Sequence, residues 1–189
     1  MATSLLLLVL AALFAFGGRA QLVVGHISDA LADEDRTRRP IPLLATGVVC
    51  AALSAWIMAY AGSYATMTLP EETHPFLITG ALGLAALELA WPVRAAPLRE
   101  PTRSLGAIGA VLLVRQLGDA ARLIIFAAAI WTRDPMGAAL AGGIGGSLAA
   151  GMGWKLGAQK LAEWPLRWIR ACCSVPLILA ALLIGLNVS

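Results

Sequence analysis

The chain has 189 residues, of which 59% are hydrophobic and 13% are charged. A water-soluble domain is typically about 45–50% apolar and about 25% charged, so this composition excludes an ordinary soluble protein and predicts an integral membrane protein. The net charge of +3 does not indicate nucleic-acid binding, because the basic residues fall in short segments between apolar runs, where membrane topology explains them.

Six apolar runs have roughly the length of a membrane span, which takes about 20 residues per helix. The first run is similar to the core of a signal peptide, but the start Met-Ala-Thr-Ser lacks the basic residues that such a peptide carries, so we interpret it as a true span. Prolines cluster at the ends of the runs, where helices tolerate them. The predicted spans are residues 3–28, 41–62, 75–92, 105–131, 136–157 and 167–187.

Basic residues are unevenly distributed among the predicted loops. The loop after span two has no Lys or Arg, and the loop after span four has only Arg133. Because cytoplasmic loops are enriched in Lys and Arg, the pattern predicts a multi-pass protein of the cell (inner) membrane with both termini outside the cytoplasm. The basic residues after spans one, three and five are Arg36, Arg38, Arg39, Arg94, Arg99, Arg103, Lys155, Lys160, Arg167 and Arg170.

The two halves of the chain contain a weak internal repeat. Residues 40–62 and 135–157 are equal in length and align without gaps, and one span earlier residues 17–22 align with residues 118–123. Three spans per repeat is an odd number, so the two halves have opposite orientations in the membrane. Inverted repeats with a site at their interface near the bilayer midplane are a transporter architecture.

These patterns together predict the fold class and its division into parts. We expect an all-α membrane protein with six transmembrane helices in two inverted three-helix repeats. The first repeat is residues 1–92, a cytoplasmic linker follows at residues 93–104, and the second repeat is residues 105–189.

A charged cluster interrupts the fourth predicted span near its middle. A charged side chain at the bilayer centre costs about 2.5–3.5 kcal/mol on insertion scales, so such residues usually face inward, find partners and mark a functional site. Residues three and four apart share a helix face, so we expect Asp119 to lie between Arg115 and Arg122, with Gln116 alongside. The cluster predicts an ion site or polar relay. The alternative is a neutralised ion pair that only holds helices together.

The first predicted span carries a second group of polar residues. Arg19 and Gln21 lie in the region that aligns with the charged cluster, where Arg19 is a candidate substrate-binding cation, a partner for Asp119 or a packing residue. His26 and Asp29 follow three residues apart. We interpret them as a solvated helix end, the alternative being a vestibule site for a proton or metal ion.

The fifth predicted span is rich in glycine. Gly142 and Gly146, and likewise Gly153 and Gly157, form GxxxG pairs, which let helix backbones approach closely. We expect close helix packing here, the alternative being a broken helix that exposes carbonyl groups to an ion.

Features of an enzyme or of a cofactor site do not stand out in the sequence. The glycine-rich segment lacks the strand and the Lys-Ser/Thr of a phosphate loop, and no catalytic triad, HExxH motif or carboxylate pair appears. We therefore expect no enzyme activity and no cofactor. Glu88 precedes Trp91 by three residues, so we expect it at the membrane interface within reach of Arg94. We interpret the three cysteines as small buried hydrophobes: Cys50, Cys172 and Cys173.

Residues 15–20 and 116–121 stand at matching places in the first span of each repeat. Their sequences, Ala-Phe-Gly-Gly-Arg-Ala and Gln-Leu-Gly-Asp-Ala-Ala, resemble the E-x-G-D-[KR]-[ST] motifs of the Gdt-type cation/proton exchangers. This family includes bacterial manganese exporters and Golgi manganese/calcium transporters. The stretch from residue 142 to residue 170 also resembles the family. The resemblance implies two inverted three-span repeats and exchange of a divalent cation for protons.

The resemblance also implies which residues bind the cation. In the family, the Glu and Asp of both motifs are thought to form the cation site, and this chain keeps one of the four carboxylates, Asp119. Gln116, Ala15 and Gly18 occupy the other three positions. The resemblance thus implies Asp119 and Gln116 as the remaining ligands of Mn²⁺ or Ca²⁺, with Asp119 as the carboxylate that couples cation and proton movement.

Two alternative functions follow from the altered motifs. Divalent cations prefer several oxygen ligands, usually including carboxylates. Arg19, Arg115 and Arg122 instead suit a small anionic or zwitterionic solute, because arginine binds planar carboxylates through two hydrogen bonds. The other alternative is a non-transporting membrane paralogue with a structural or regulatory role.

Overall fold

The computed structural model describes residues 2–16, 18–30, 41–91 and 104–187, and for residues 2–5 and 19 it describes the backbone alone. Within these ranges the chain is helical and has no strand, which confirms the all-α prediction. A short 3₁₀ turn, Glu71–Thr73, precedes α4. The helices are α1 Ala2–Ala15, α2 Arg19–Ala30, α3 Ile41–Thr68, α4 His74–Ala90, α5 Leu105–Leu117, α6 Ala120–Thr132, α7 Pro135–Ala162 and α8 Leu166–Leu186.

Both runs predicted as the first span of a repeat are divided into two helices. Run 3–28 becomes α1 and α2, whose axes lie 57° apart. Run 105–131 becomes α5 and α6, which separate at Gly118 and Asp119. Asp119 has an extended backbone and precedes the first residue of α6 without a side-chain capping hydrogen bond, and the break agrees with the low helix propensity of glycine at position 118. The two breaks coincide with the positions that the internal repeat aligns.

Three described helical segments are long and apolar enough to cross a membrane, and the bent pair of α1 and α2 is a fourth if it forms one span. The three are α3, the segment Glu71–Ala90 that contains α4, and α8. The shorter α5 and α6 are apolar, and the glycine-rich α7 equals α3 in length at 28 residues. The chain therefore has the helices of a membrane protein, with three or four candidate spans where the sequence predicts six.

Helix α7 lies at the centre of the packing. It packs against α1, α2, α3 and α6, while α4 packs against α6 and α8. A Cβ atom built on Gly153 would lie 2.5 Å from the carbonyl oxygen of Gln21, and one built on Gly145 would lie 2.6 Å from the backbone nitrogen of Ala12. Because α1 and α2 touch α7 backbone to backbone, the predicted close packing of the glycine-rich helix is confirmed.

Several predicted features lie outside the described residues. They include the basic loop with Arg36, Arg38 and Arg39, and residues 93–103 of the predicted linker. The side chain of Arg19 is also outside the described part of the chain, although its backbone begins α2.

Candidate functional site

The break between α5 and α6 places Asp119 in the protein interior, with 6% of its surface exposed. Its backbone nitrogen donates to the carbonyl oxygen of Gln116 at 3.0 Å, and its own carbonyl oxygen accepts from the nitrogen of Arg122 at 2.9 Å. This turn ends one helix and begins the next. A carboxyl group thus sits at the start of α6, where the partial positive charge of the helix N-terminus favours an anion.

Gly18, at the break between α1 and α2, faces Asp119 directly. A Cβ atom built on Gly18 would lie 2.6 Å from Oδ2 of Asp119. The two breaks therefore meet in the interior, and the two positions that the internal repeat aligns lie against each other. A side chain at residue 18 would occupy the space next to the carboxyl group.

A small polar cavity of about 20 Å³ lies between the two breaks and α7. A cavity of this size holds a water molecule or a small ion. Four of the six predicted site residues line it: Gln21, Gln116, Asp119 and Arg122. The rest of the lining consists of small residues: Ala15, Ala20, Gly146, Ala149 and Ala150.

One carboxyl oxygen of Asp119 is left without a partner by the surrounding protein. Oδ1 is buried and has no hydrogen-bond partner among the described residues. Leaving a buried polar atom unpaired costs free energy, and such atoms commonly mark the place of a water molecule or an ion. The cavity beside Asp119 provides the room for either.

Arg122 is buried and is held by helices α3 and α7. Its Nε donates to Ser54 Oγ at 2.7 Å, Nη2 donates to the carbonyl oxygen of Ala51 at 3.0 Å, and Nη1 donates to that of Gly142 at 3.3 Å. Ser54 in turn lies 3.1 Å from Oε1 of Gln116, to which its hydroxyl can donate. Arg122 therefore ties the start of α6 to two neighbouring helices, and Ser54 links it to Gln116.

The expected arrangement of Asp119 between two guanidinium groups is wrong. Arg115 is exposed on α5 and does not line the cavity. Among the residues that the structure describes, no ion pair joins Arg122 to Asp119. The spacing argument fails because it assumes one continuous helix, and the chain leaves the helix at Gly118 and Asp119. Ser54 was missed, since a single serine in an apolar helix gives little signal in the sequence.

Asp29 lies one residue before the end of α2 and is half-buried, and its side chain also contacts α7. Helix α7 is interrupted at Gly157, whose φ of 74° is a conformation that favours glycine. Oδ2 of Asp29 accepts from the backbone nitrogens of Ala158 at 2.7 Å and Gln159 at 3.3 Å. The carboxylate therefore caps the backbone that follows the interruption, three residues along the chain from the half-buried His26.

Glu88 and Arg170 form a second buried polar group, which the sequence did not predict. Nη2 of Arg170 donates to Oε1 of Glu88 at 3.0 Å and to its carbonyl oxygen at 2.7 Å. The two side chains are 10% and 4% exposed. Glu88 is thus paired in the protein interior with a residue of α8. Its place at the membrane interface stays a prediction, and Arg94 lies outside the described residues.

The oxygen ligands around the cavity suit a divalent cation poorly. Within the described ranges no three His, Cys, Asp or Glu residues come together as a metal site. The cavity offers the carboxylate of Asp119 and the amide oxygen of Gln116, with the positive charge of Arg122 in the same lining. Mn²⁺ and Ca²⁺ usually bind more oxygen ligands than these two side chains supply.

The resemblance to the Gdt-type exchangers rests on residues 15–20, 116–121 and 142–170. The first two segments contain the helix breaks, and the third lies in α7 and the start of α8. Searches of protein-family models, curated proteins and solved structures find no match for this chain, so the family assignment stays a proposal.

Proposed function

We propose that this protein is a membrane transporter that exchanges a small cation for protons, with Asp119 as the exchanging group. One observation carries the proposal: Oδ1 of Asp119 is buried and has no partner among the described residues, and Asp119 lines a small polar cavity. Helices interrupted within the membrane, with their ends around a small site, are typical of secondary transporters. The unequal distribution of Lys and Arg favours the cell membrane, with both termini outside the cytoplasm.

The proposed exchange step needs only the Asp119 carboxyl group. The protonated carboxyl gives up its proton to water as the cation arrives, and the carboxylate that remains balances one unit of the cation's charge until a proton replaces the cation. The positive N-terminus of α6, which begins directly after Asp119, stabilises the carboxylate that the departing proton leaves. Gln116 supplies an amide oxygen whose second lone pair stays open beside its contact with Ser54.

Mn²⁺ and Ca²⁺ are the cargoes that the family resemblance implies, with Asp119 and Gln116 as ligands. Two side-chain oxygens leave most of the coordination sphere of such an ion to water or backbone carbonyl groups. We therefore expect weaker binding of these ions than a site with four carboxylates would give.

The positions of two arginines argue against an anionic or zwitterionic cargo. Arg122 already uses three of its five N–H groups on Ser54 and two backbone carbonyl groups, which hold its guanidinium in one place, and Arg115 is exposed and does not line the cavity. A purely structural role fits the contacts of Arg122. A structural role does not account for Asp119, because a carboxyl group that only holds helices together would stabilise the fold more if both of its oxygens had hydrogen-bond partners.

A matched pair of glycine variants tests the proposal. In Gly18→Ala the new methyl group would lie 2.6 Å from Oδ2 of Asp119, whereas a Cβ atom at Gly118 has no other atom within 4 Å. We expect Gly18→Ala to lose most of the Mn²⁺ or Ca²⁺ uptake into proteoliposomes under an imposed pH gradient, and Gly118→Ala to retain it. Uptake by Gly18→Ala at the wild-type rate would contradict Asp119 as the site. A folded wild-type protein that takes up neither ion would contradict cation exchange.

A further inference from the structure

The ion pair between Glu88 and Arg170 lies in the interior, close to the proposed exchange site. It joins α4 to α8, and both side chains are almost fully buried. Burying an ion pair costs desolvation free energy that the mutual attraction only partly returns, so replacement by apolar residues is often neutral or stabilising. A contribution to stability therefore explains the presence of this buried ion pair poorly. Its position relative to Asp119 suggests a different role.

The pair and Asp119 belong to one region of the core. Ala120 and Ala121, which directly follow Asp119, pack in the same cluster as Ala85, Ala86 and Leu89, which flank Glu88. Leu177 of α8 belongs to this cluster as well. Asp119 and Glu88 therefore each lie next in the chain to a residue of the same buried cluster, Ala120 and Leu89.

We infer that Glu88 is a positioning residue of the exchange site, which together with Arg170 sets the electrostatic potential at Asp119. Glu88 holds Arg170 through its side chain and its carbonyl oxygen, and so fixes where that positive charge lies. The intact pair has no net charge, and its effect on Asp119 therefore depends on both members. This inference rests on the proposed function, in which Asp119 binds the cation.

The sign of each effect follows from the charge that is removed. Glu88→Gln leaves Arg170 as a net positive charge near the site, which disfavours a bound cation. Arg170→Gln removes a positive charge from the neighbourhood of the site, which favours a bound cation. By Coulomb's law at an effective dielectric constant of about 20, a unit charge roughly 10 Å from a monovalent cation changes the binding of that cation by on the order of tenfold. The double variant removes both charges and should return the affinity towards the wild-type value.

The experiment measures the half-saturating cation concentration for uptake by the two single variants and the double variant. We expect Glu88→Gln to raise this KM about tenfold and Arg170→Gln to lower it by a similar factor. Glu71→Gln is the matched control, because Glu71 forms an exposed ion pair with Arg133, in which the side chains are 79% and 67% exposed. It should leave KM unchanged. A merely structural role would move both single variants in the same direction, and that outcome would overturn the inference.

A second measurement separates this inference from the proposed function. The infrared band of the Asp119 carboxyl group can be assigned by its loss in Asp119→Asn, whether or not the protein transports a cation. We expect Glu88→Gln and Arg170→Gln to displace this band in opposite directions. If the wild-type protein transports nothing, the proposed function fails, and opposite displacements would still support the electrostatic coupling. Displacements of the same sign, or none, would overturn it.

Discussion

The backbone contact between α2 and α7 at Gly153 leads to a quantitative prediction. In Gly153→Ala the added Cβ atom would lie 2.5 Å from the carbonyl oxygen of Gln21 and 2.9 Å from its Cγ atom. The carbonyl oxygen cannot rotate away, so α2 has to move outward along its contact with α7. Because Gln21 also lines the cavity beside Asp119, the displacement reaches the proposed site.

Gly151→Ala is the matched control, since its Cβ atom would meet only the Cδ1 atom of Leu44, at 3.9 Å. Both variants make the same change in the same helix, so the gain in helix propensity of about 0.8–1.0 kcal/mol cancels in the comparison. What remains is the overpacking at Gly153, which typically costs about 1–3 kcal/mol. For a chain of this length, that difference in free energy corresponds to a melting temperature that is lower by about 2–12 °C.

Both purified variants are heated in the same detergent. Thermal unfolding is measured as the loss of monodisperse protein with increasing temperature. We expect Gly153→Ala to unfold at a lower temperature than Gly151→Ala and to show reduced cation uptake. Equal melting temperatures would refute the reasoning, because they would mean that α2 and α7 are not in backbone contact at this position.

Three further predictions concern single side chains. Arg122→Lys should destabilise the protein by about 2–4 kcal/mol in a thermal unfolding assay. An ammonium group cannot donate to all three acceptors of the guanidinium group, and charge-assisted hydrogen bonds contribute about 1.5–3 kcal/mol each. A melting temperature equal to that of the wild type would contradict this prediction. Asp29→Asn should lower the free energy of unfolding by about 1 kcal/mol and speed hydrogen exchange at the backbone amide of Ala158, because that nitrogen loses a charged acceptor. An unchanged exchange rate would contradict the capping role. Arg115→Gln should leave the KM for cation uptake unchanged because Arg115 is exposed, and a lowered KM would place its positive charge next to the site after all.

The sequence predicted the composition of the site better than its geometry. Asp119, Gln116, Arg122 and Gln21 could be found because polar residues are rare in apolar runs and are expensive in a membrane. Their convergence on one cavity follows from the internal repeat, which aligned residues 17–22 with residues 118–123. The prediction that these four residues lie together needed only the order of residues along the chain, which is the same whether or not the helices are interrupted.

The side-chain partners could not be predicted, because they depend on how the helices end and pack. Helical spacing placed Arg115 and Arg122 on either side of Asp119, but the chain is not helical at Gly118 and Asp119. Arg122 instead contacts residues 51, 54 and 142, which are distant in the sequence and carry little polar signal. The pairing of Glu88 with Arg170 likewise required the contact between α4 and α8 to be known.

The number of spans illustrates a different difficulty. Hydropathy identified six apolar runs. A run that bends at its middle and a glycine-rich helix, however, do not have the continuous length and apolar character of a straight membrane span. Among the described residues, three or four helices have the length and apolar character of a membrane span. Helices α5, α6 and α7 pack with them as shorter or less apolar elements.

The most direct test of the central claim compares Asp119→Asn with Asp134→Asn in proteoliposomes, recording cation uptake and proton release together. Asp134 is exposed at the start of α7, where its side chain accepts from the nitrogen of Gly137, and asparagine caps a helix about as well. We predict that the wild type and Asp134→Asn exchange the cation for protons, and that Asp119→Asn, although folded, does neither. Proton-coupled uptake that persists in Asp119→Asn would contradict the assignment of this carboxyl group as the exchange site.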